Sequence, residues 1–178
     1  MKKTVLAASL LLATQPALAG SRDTWNKASR VGEVALVGAA MGFIIANRND
    51  SRGFEQFAAT QLTTVGVTYG LKQVVNEQRP DGSGNDSFPS GHTSISFAAA
   101  GFIGHRYGWD KGVPAMILAT GVGIARVAAK KHHWYDVVAG AAIGEGSAML
   151  FVNRKDEDYA VIPWGSTKEA GVTFAARF

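Results

Sequence analysis

Residues 112–152 read GVPAMILATGVGIARVAAKKHHWYDVVAGAAIGEGSAMLFV. Two stretches of apolar and small residues, 113–125 and 137–152, flank a polar break. Each is too long for a strand, so the spacing predicts two helices, over about 112–130 and 132–152. Asp110 offers an N-cap to the first, with Pro114 in its opening turn, where a missing N–H costs little. Arg126 ends the first apolar stretch and Glu145 interrupts the second. Helices of this kind suit the core of a tight bundle or a marginal membrane span, and both readings stand at this point.

The pattern stays helical toward the N-terminus. A helix is predicted over 90–106, preceded by a loop at 81–88, Asp-Gly-Ser-Gly-Asn-Asp-Ser-Phe. Another covers 54–77 and stops before Arg79-Pro80, because a residue preceding proline is pushed out of the helical region. Asn49, Asp50, Ser51 and Gly53 form a turn cluster ahead of it, and a first helix covers 24–47. Gly66, Gly70, Gly101, Gly121, Gly123, Gly140, Gly144 and Gly146 punctuate these segments, which reads as close helix packing. The tail reads as a short hairpin of 159–164 and 172–178. The fold class is all-α, a bundle of about five helices with a short C-terminal β-hairpin.

The first residues read as an export signal. Lys2 and Lys3 precede the nine-residue run Val5–Ala13, Pro16 breaks it, and Ala17-Leu18-Ala19 forms a small-x-small cleavage site. A membrane anchor would need about 18 apolar residues. The expected organisation is therefore a signal peptide at 1–19 and one domain at 20–178, exported to the periplasm and either free there or membrane-associated. The chain carries 18 Lys+Arg against 14 Asp+Glu, and loss of Lys2 and Lys3 leaves a net charge of only +2. No basic run suggests nucleic-acid binding. There is no cysteine, which excludes disulfides, thiolate nucleophiles and Cys-based zinc sites.

Three clusters carry chemistry. Lys72 and Arg79-Pro80 sit at a helix end, where cations often only meet the helix dipole. Pro89-Ser90-Gly91-His92 opens a helix. Ser90 there can be a simple cap, or the unpaired amides, the Ser90 hydroxyl and His92 can receive an anion. Arg126, then His132, then Asp136 place a carboxylate four residues from an imidazole, one turn away on a helix. Such a pair is either structural or fixes the ring's tautomer and frees its other nitrogen as a nucleophile. A zinc set of His92, His132 and Asp136 is disfavoured, since Lys72, Arg79 and Arg126 would repel the metal. Taken together, three cations, a helix N-terminus and two histidines suit phosphoryl transfer, whose transition state spreads negative charge over equatorial oxygens.

The motifs Lys72-x6-Arg79-Pro80, Pro89-Ser90-Gly91-His92 and Arg126-x5-His132-x3-Asp136 resemble the three signatures of the type 2 phosphatidic acid phosphatase (PAP2) superfamily. That superfamily includes bacterial acid phosphatases, lipid phosphate phosphatases and vanadium haloperoxidases. The resemblance implies a PAP2-type helical bundle and hydrolysis of phosphate monoesters through a phosphohistidine, with no cofactor. Lys72, Arg79, Ser90, Gly91 and Arg126 would bind phosphate. His132 would be the nucleophile, Asp136 its orienting partner, and His92 the acid toward the leaving alcohol and then the base toward water. His133 is offset by one from the motif and reads as non-catalytic. Ala125 departs from the pattern, which has Ser before the third-motif Arg, so positioning of Arg126 is the point in doubt. The expected partner is a phosphorylated small molecule, a lipid phosphate or a prenyl pyrophosphate, with membrane contact and no nucleic acid. The alternatives are a vanadium-dependent haloperoxidase and a non-catalytic phosphate-binding envelope protein.

Overall fold

The computed structural model describes residues 21–48, 50–155, 159–165 and 169–176. The expected signal peptide lies outside them. Five helices form the bundle: α1 (Arg22–Ala46), α2 (Ser51–Val74), α3 (Gly91–Tyr107), α4 (Trp109–Ala128) and α5 (Trp134–Phe151). Beyond them the backbones of β1 (Tyr159–Gly165) and β2 (Ala170–Ala176) run antiparallel; most of their side chains lie outside the described residues.

α3 is the axis, buried on nearly all sides from Thr93 to Gly104, as expected of a helix with no polar face. Its fit to α5 depends on missing side chains. A Cβ on Gly140 would stand 2.6 Å from the Ser90 carbonyl oxygen, and one on Gly144 would collide with the Ser94 carbonyl. Close packing does not explain every glycine, because Gly66, Gly70, Gly121 and Gly146 face open space. Leu36, Phe57, Phe102, Ile103, Ala119 and Ala148 knit the five helices into one core.

The interior is otherwise small and polar, and the exterior is apolar. Thr60, Thr64 and Thr68 of α2 are buried, while Leu62 is 73% and Val74 is 77% exposed. Ile117 and Met149 are similarly exposed on α4 and α5. An apolar surface of this extent marks contact with lipid or another protein rather than with water. α1 and α4 are also long and apolar enough to cross a membrane, with mean hydropathy 1.5 and 1.3 over their best 18-residue windows. Membrane association follows.

Three helix starts and ends differ from expectation. α2 stops at Val74 rather than near residue 77. α4 begins at Trp109, because Gly108, at φ 101°, ends α3 and caps α4 at once. Asp110 is therefore not the cap; its carboxylate pairs with Lys111 Nζ at 2.7 Å, and Pro114 lies deeper in the helix. α5 begins at Trp134 with His133 as N-cap, because the Asp136 carboxylate reaches back to the His133 N–H at 2.8 Å. His132 therefore precedes the helix instead of lying on its face.

Candidate active site

The end of α2, the start of α3, the end of α4 and the start of α5 meet at one end of the bundle. The Ser90 N–H donates to the Asp136 carbonyl at 3.0 Å, tying the second motif to the third. The loop between α2 and α3 is held down by its own backbone bonds and by Asp81, whose carboxylate pairs with Lys131 Nζ at 2.6 Å. Gly82 (φ 72°) makes the turn that permits this.

His132 is 2% exposed. Its Nδ1 lies 2.8 Å from the Ser87 carbonyl oxygen. A carbonyl only accepts, so Nδ1 carries the proton and Nε2 keeps its lone pair. Because Nδ1 gives its hydrogen bond to Ser87, the Asp136 carboxylate, with Oδ2 3.5 Å from Nδ1, faces the ring as a neighbouring charge rather than as its hydrogen-bond partner. It accepts instead from the Ser87 hydroxyl at 2.6 Å and from the His133 amide. The Asp136 carboxylate thus lies beside the His132 ring as the spacing suggested, but the hydrogen bond on Nδ1 goes to Ser87. The carboxylate acts on the segment that holds the imidazole, because His132 precedes the helix and turns toward the α2–α3 loop. Burial raises the Asp136 carboxyl, but the Ser87 and His133 bonds outweigh it and leave it below the usual carboxylate range.

The three cations converge. Lys72 Nζ donates to the Asp86 carbonyl at 2.6 Å, and Arg79 grips the Asp86 carboxylate with two bonds of 2.8 Å. Arg126, 3% exposed, donates through Nη1 to Asn26 Oδ1 at 2.6 Å and to Ser29 Oγ at 3.3 Å. Its Nε is buried without a partner. Burial, then Arg126, Arg79 and Lys72, push the His132 imidazole down. Burial, then Arg126, Arg30, Arg79 and Lys72, push His92 down to about 4. Both rings therefore stand in the field of the same three motif cations. A focus of positive charge with an orphaned guanidinium N–H can receive an anion.

A profile of the PAP2 superfamily matches residues 55–158. The chain belongs to the PAP2 superfamily. It is 34% identical over 125 residues to the lipid A 4'-phosphatase of Helicobacter pylori, covering 64% of this chain and 63% of that protein. It is 39% identical over 89 residues to lipid phosphate phosphatase 2 of Arabidopsis thaliana, covering 42% and 29%. The chain thus spans under two thirds of the length of each of these relatives. Among solved structures, LpxE of Aquifex aeolicus superposes with a TM-score of 0.61 at 22% identity, over 77% of this chain and 86% of that one. A transmembrane PAP2-type phosphatidylglycerolphosphate phosphatase of Bacillus subtilis gives 0.52 at 23%, over 78% and 77%. Both show the same fold.

Within this PAP2 bundle the remaining expected residues take the following places. Ser90 is fully buried, its hydroxyl 2.9 Å from Thr93 Oγ1. Gly91 begins α3, where first-turn amides have no partner inside the helix. His92 Nε2 lies 3.5 Å from Glu33 Oε2. His133 stacks on Tyr135, and its Nδ1 lies 3.6 Å from Glu77 and 3.4 Å from Asp136. Glu77, His133 and Asp136 could hold a metal ion by their spacing. They are not the His92–His132–Asp136 set of the zinc reading.

The sequence reading missed four neighbours of the motifs. Ser87 was legible only as loop. Asn26, Ser29 and Glu33 lie on α1, before the matched residues 55–158; polar residues spaced three, four and seven apart in an apolar helix were their signal. They also answer the doubt raised by Ala125, since Asn26 and Ser29 hold Arg126 from the facing helix.

Proposed function

We propose that this protein is a membrane-associated phosphatase that hydrolyses lipid phosphate monoesters through a phosphohistidine at His132. The observation that carries this is the 2.8 Å bond from His132 Nδ1 to the Ser87 carbonyl, which leaves Nε2 as the nucleophile among three cations. The phosphoryl oxygens bind Lys72, Arg79, the Arg126 Nε–H and the amides at the start of α3, joined by Ser90 and Gly91. Nε2 attacks phosphorus in line with the leaving alcohol, and protonated His92 gives that alcohol its proton. Water then attacks phosphorus, His92 takes the proton, and release of phosphate restores the lone pair on Nε2. Asp136 positions His132 through Ser87.

Lipid substrates are favoured by the apolar exterior of α1 and α4, the helices that bring Asn26, Ser29 and Arg126 to the site. The similar proteins named above, lipid A and lipid phosphate phosphatases, support the same reading. Export to the periplasm rests on the 1–19 pattern. The test is hydrolysis by the purified protein of phosphatidic acid and prenyl pyrophosphate in mixed micelles against p-nitrophenyl phosphate. A preference for the lipids that is lost in His132→Ala is expected. A preference for soluble esters would overturn the lipid assignment, and full activity in His132→Ala would overturn the mechanism.

A further inference from the structure

The proposed mechanism asks His92 to give up a proton and take one back while four cations, Arg126 from α4, Arg30 from α1, Lys72 from α2 and Arg79 from the loop after it, all oppose a charge on its ring. Within 4 Å of that ring one carboxylate stands among the described residues, Glu33 of α1, with Oε2 3.5 Å from Nε2. The two side chains shield each other, 28% and 19% exposed. A half-buried carboxylate in an apolar helix is costly to keep, and this one stands at ion-pair distance from an imidazole, with Arg126 and Arg30 also acting on it.

We propose that Glu33 is a positioning residue for His92, drawing the Nε2 side of the ring toward its carboxylate as an ion pair so that Nδ1 is the nitrogen that passes the proton. The inference rests on the proposed phosphatase reading. In the first step the Nδ1–H proton goes to the leaving oxygen as its bond to phosphorus breaks, while the Nε2–H remains directed at Glu33. In the second step Nδ1 accepts the proton of the attacking water. The arrangement mirrors His132, where Nδ1 is held by Ser87 and Nε2 works. It also gives α1, outside the matched family residues, a part in the proton transfer.

Leaving-group dependence tests this. p-Nitrophenol departs without protonation, whereas an alkyl alcohol needs the acid. With Glu33→Gln, kcat/KM, which reports only the transfer to His132, is expected to fall about 10-fold or more for an alkyl phosphate and less than about 3-fold for p-nitrophenyl phosphate, whereas kcat, which includes the shared water step, falls for both. The alkaline limb for the alkyl substrate moves down by about one pH unit, and Glu33→Asp restores part of both. His92→Gln, run in parallel, must show the same leaving-group selectivity. If it does not, the phosphatase mechanism fails; if it does and Glu33→Gln matches wild type, the Glu33 inference alone fails. The wild-type protein gives a readout that needs no variant. Its His92 15N shifts must show Nε2 protonated and Nδ1 unprotonated in the neutral ring, and the opposite tautomer overturns the proposal.

Discussion

The carbonyl oxygen of Ser87 receives the Nδ1–H of His132 at 2.8 Å, and the hydroxyl of the same residue is bound to Asp136. One residue of the α2–α3 loop thus sets both the tautomer and the anchoring of the proposed nucleophile. In Ser87→Ala the carbonyl stays but its anchor is lost. A hydrogen bond to a charged group contributes about 1.5–3 kcal/mol, so kcat is expected to fall about 10-fold or more with KM little changed. Asp136→Asn, which removes the charge, is expected to cost more than Ser87→Ala. Steady-state kinetics of both variants check the order.

Anion binding should take up a proton. His92 is pushed down to about 4 by burial and the surrounding cations. A bound dianion offsets those cations and raises the His92 pKa above its free value. A group whose pKa rises on binding favours the complex below the bound pKa and ceases to do so above it. Sulfate, a dianion throughout this range, should therefore bind more weakly as pH rises from about 5 to 8. Calorimetry in two buffers of different ionisation enthalpy would report the proton directly. Affinity independent of pH would contradict the assignment of His92.

Arg126 depends on α1. Asn26→Ala removes the 2.6 Å bond to Nη1 and leaves only the longer one to Ser29. Loss of about 1.4 kcal/mol of positioning predicts about a 10-fold weaker inhibition by vanadate. Ala125→Ser should change it less than 3-fold or so, because α1 already fixes the guanidinium.

Stability rests on the opposite end of the bundle. Arg106, 4% exposed, binds Asp50 through Nε at 2.9 Å and through Nη2, and Gln56 through Nη1 at 2.9 Å. Tyr107 adds its hydroxyl to Asp50 at 2.8 Å. Asp50→Ala leaves a buried guanidinium without its counter-charge and should cost about 3–5 kcal/mol in denaturant unfolding. Burial raises the Asp50 carboxyl, but the Arg106 and Tyr107 bonds outweigh it and hold it below the usual carboxylate range. The stabilisation is thus present above the unfolded pKa and is lost as pH falls through the folded one, so the wild type should lose stability in acid more steeply than Asp50→Ala.

Much of this was legible in residue order. The helices followed from long apolar runs, and Lys72, Arg79, Arg126, His92 and His132 from motif spacing. What was not legible came from long-range packing. Asp136 four residues from His132 suggested a hydrogen bond to the ring, but that bond goes to a backbone carbonyl 45 positions away, which no spacing reveals. Asp110 had a capping side chain, yet Gly108 capped the helix because the chain reverses there with positive φ. The apolar exterior pointed to membrane contact. Only three-dimensional burial showed that Thr60 and Thr64 lie inside while Leu62 lies outside.

The most direct test of the account is to trap the covalent intermediate. Substrate labelled with 32P is mixed with the protein and quenched in alkali, where phosphohistidine survives, and the labelled peptide is mapped. The account predicts label on the peptide containing His132, absent in His132→Ala and longer-lived in His92→Gln. Turnover of the wild type with no label at His132, or label on any other side chain, would contradict it.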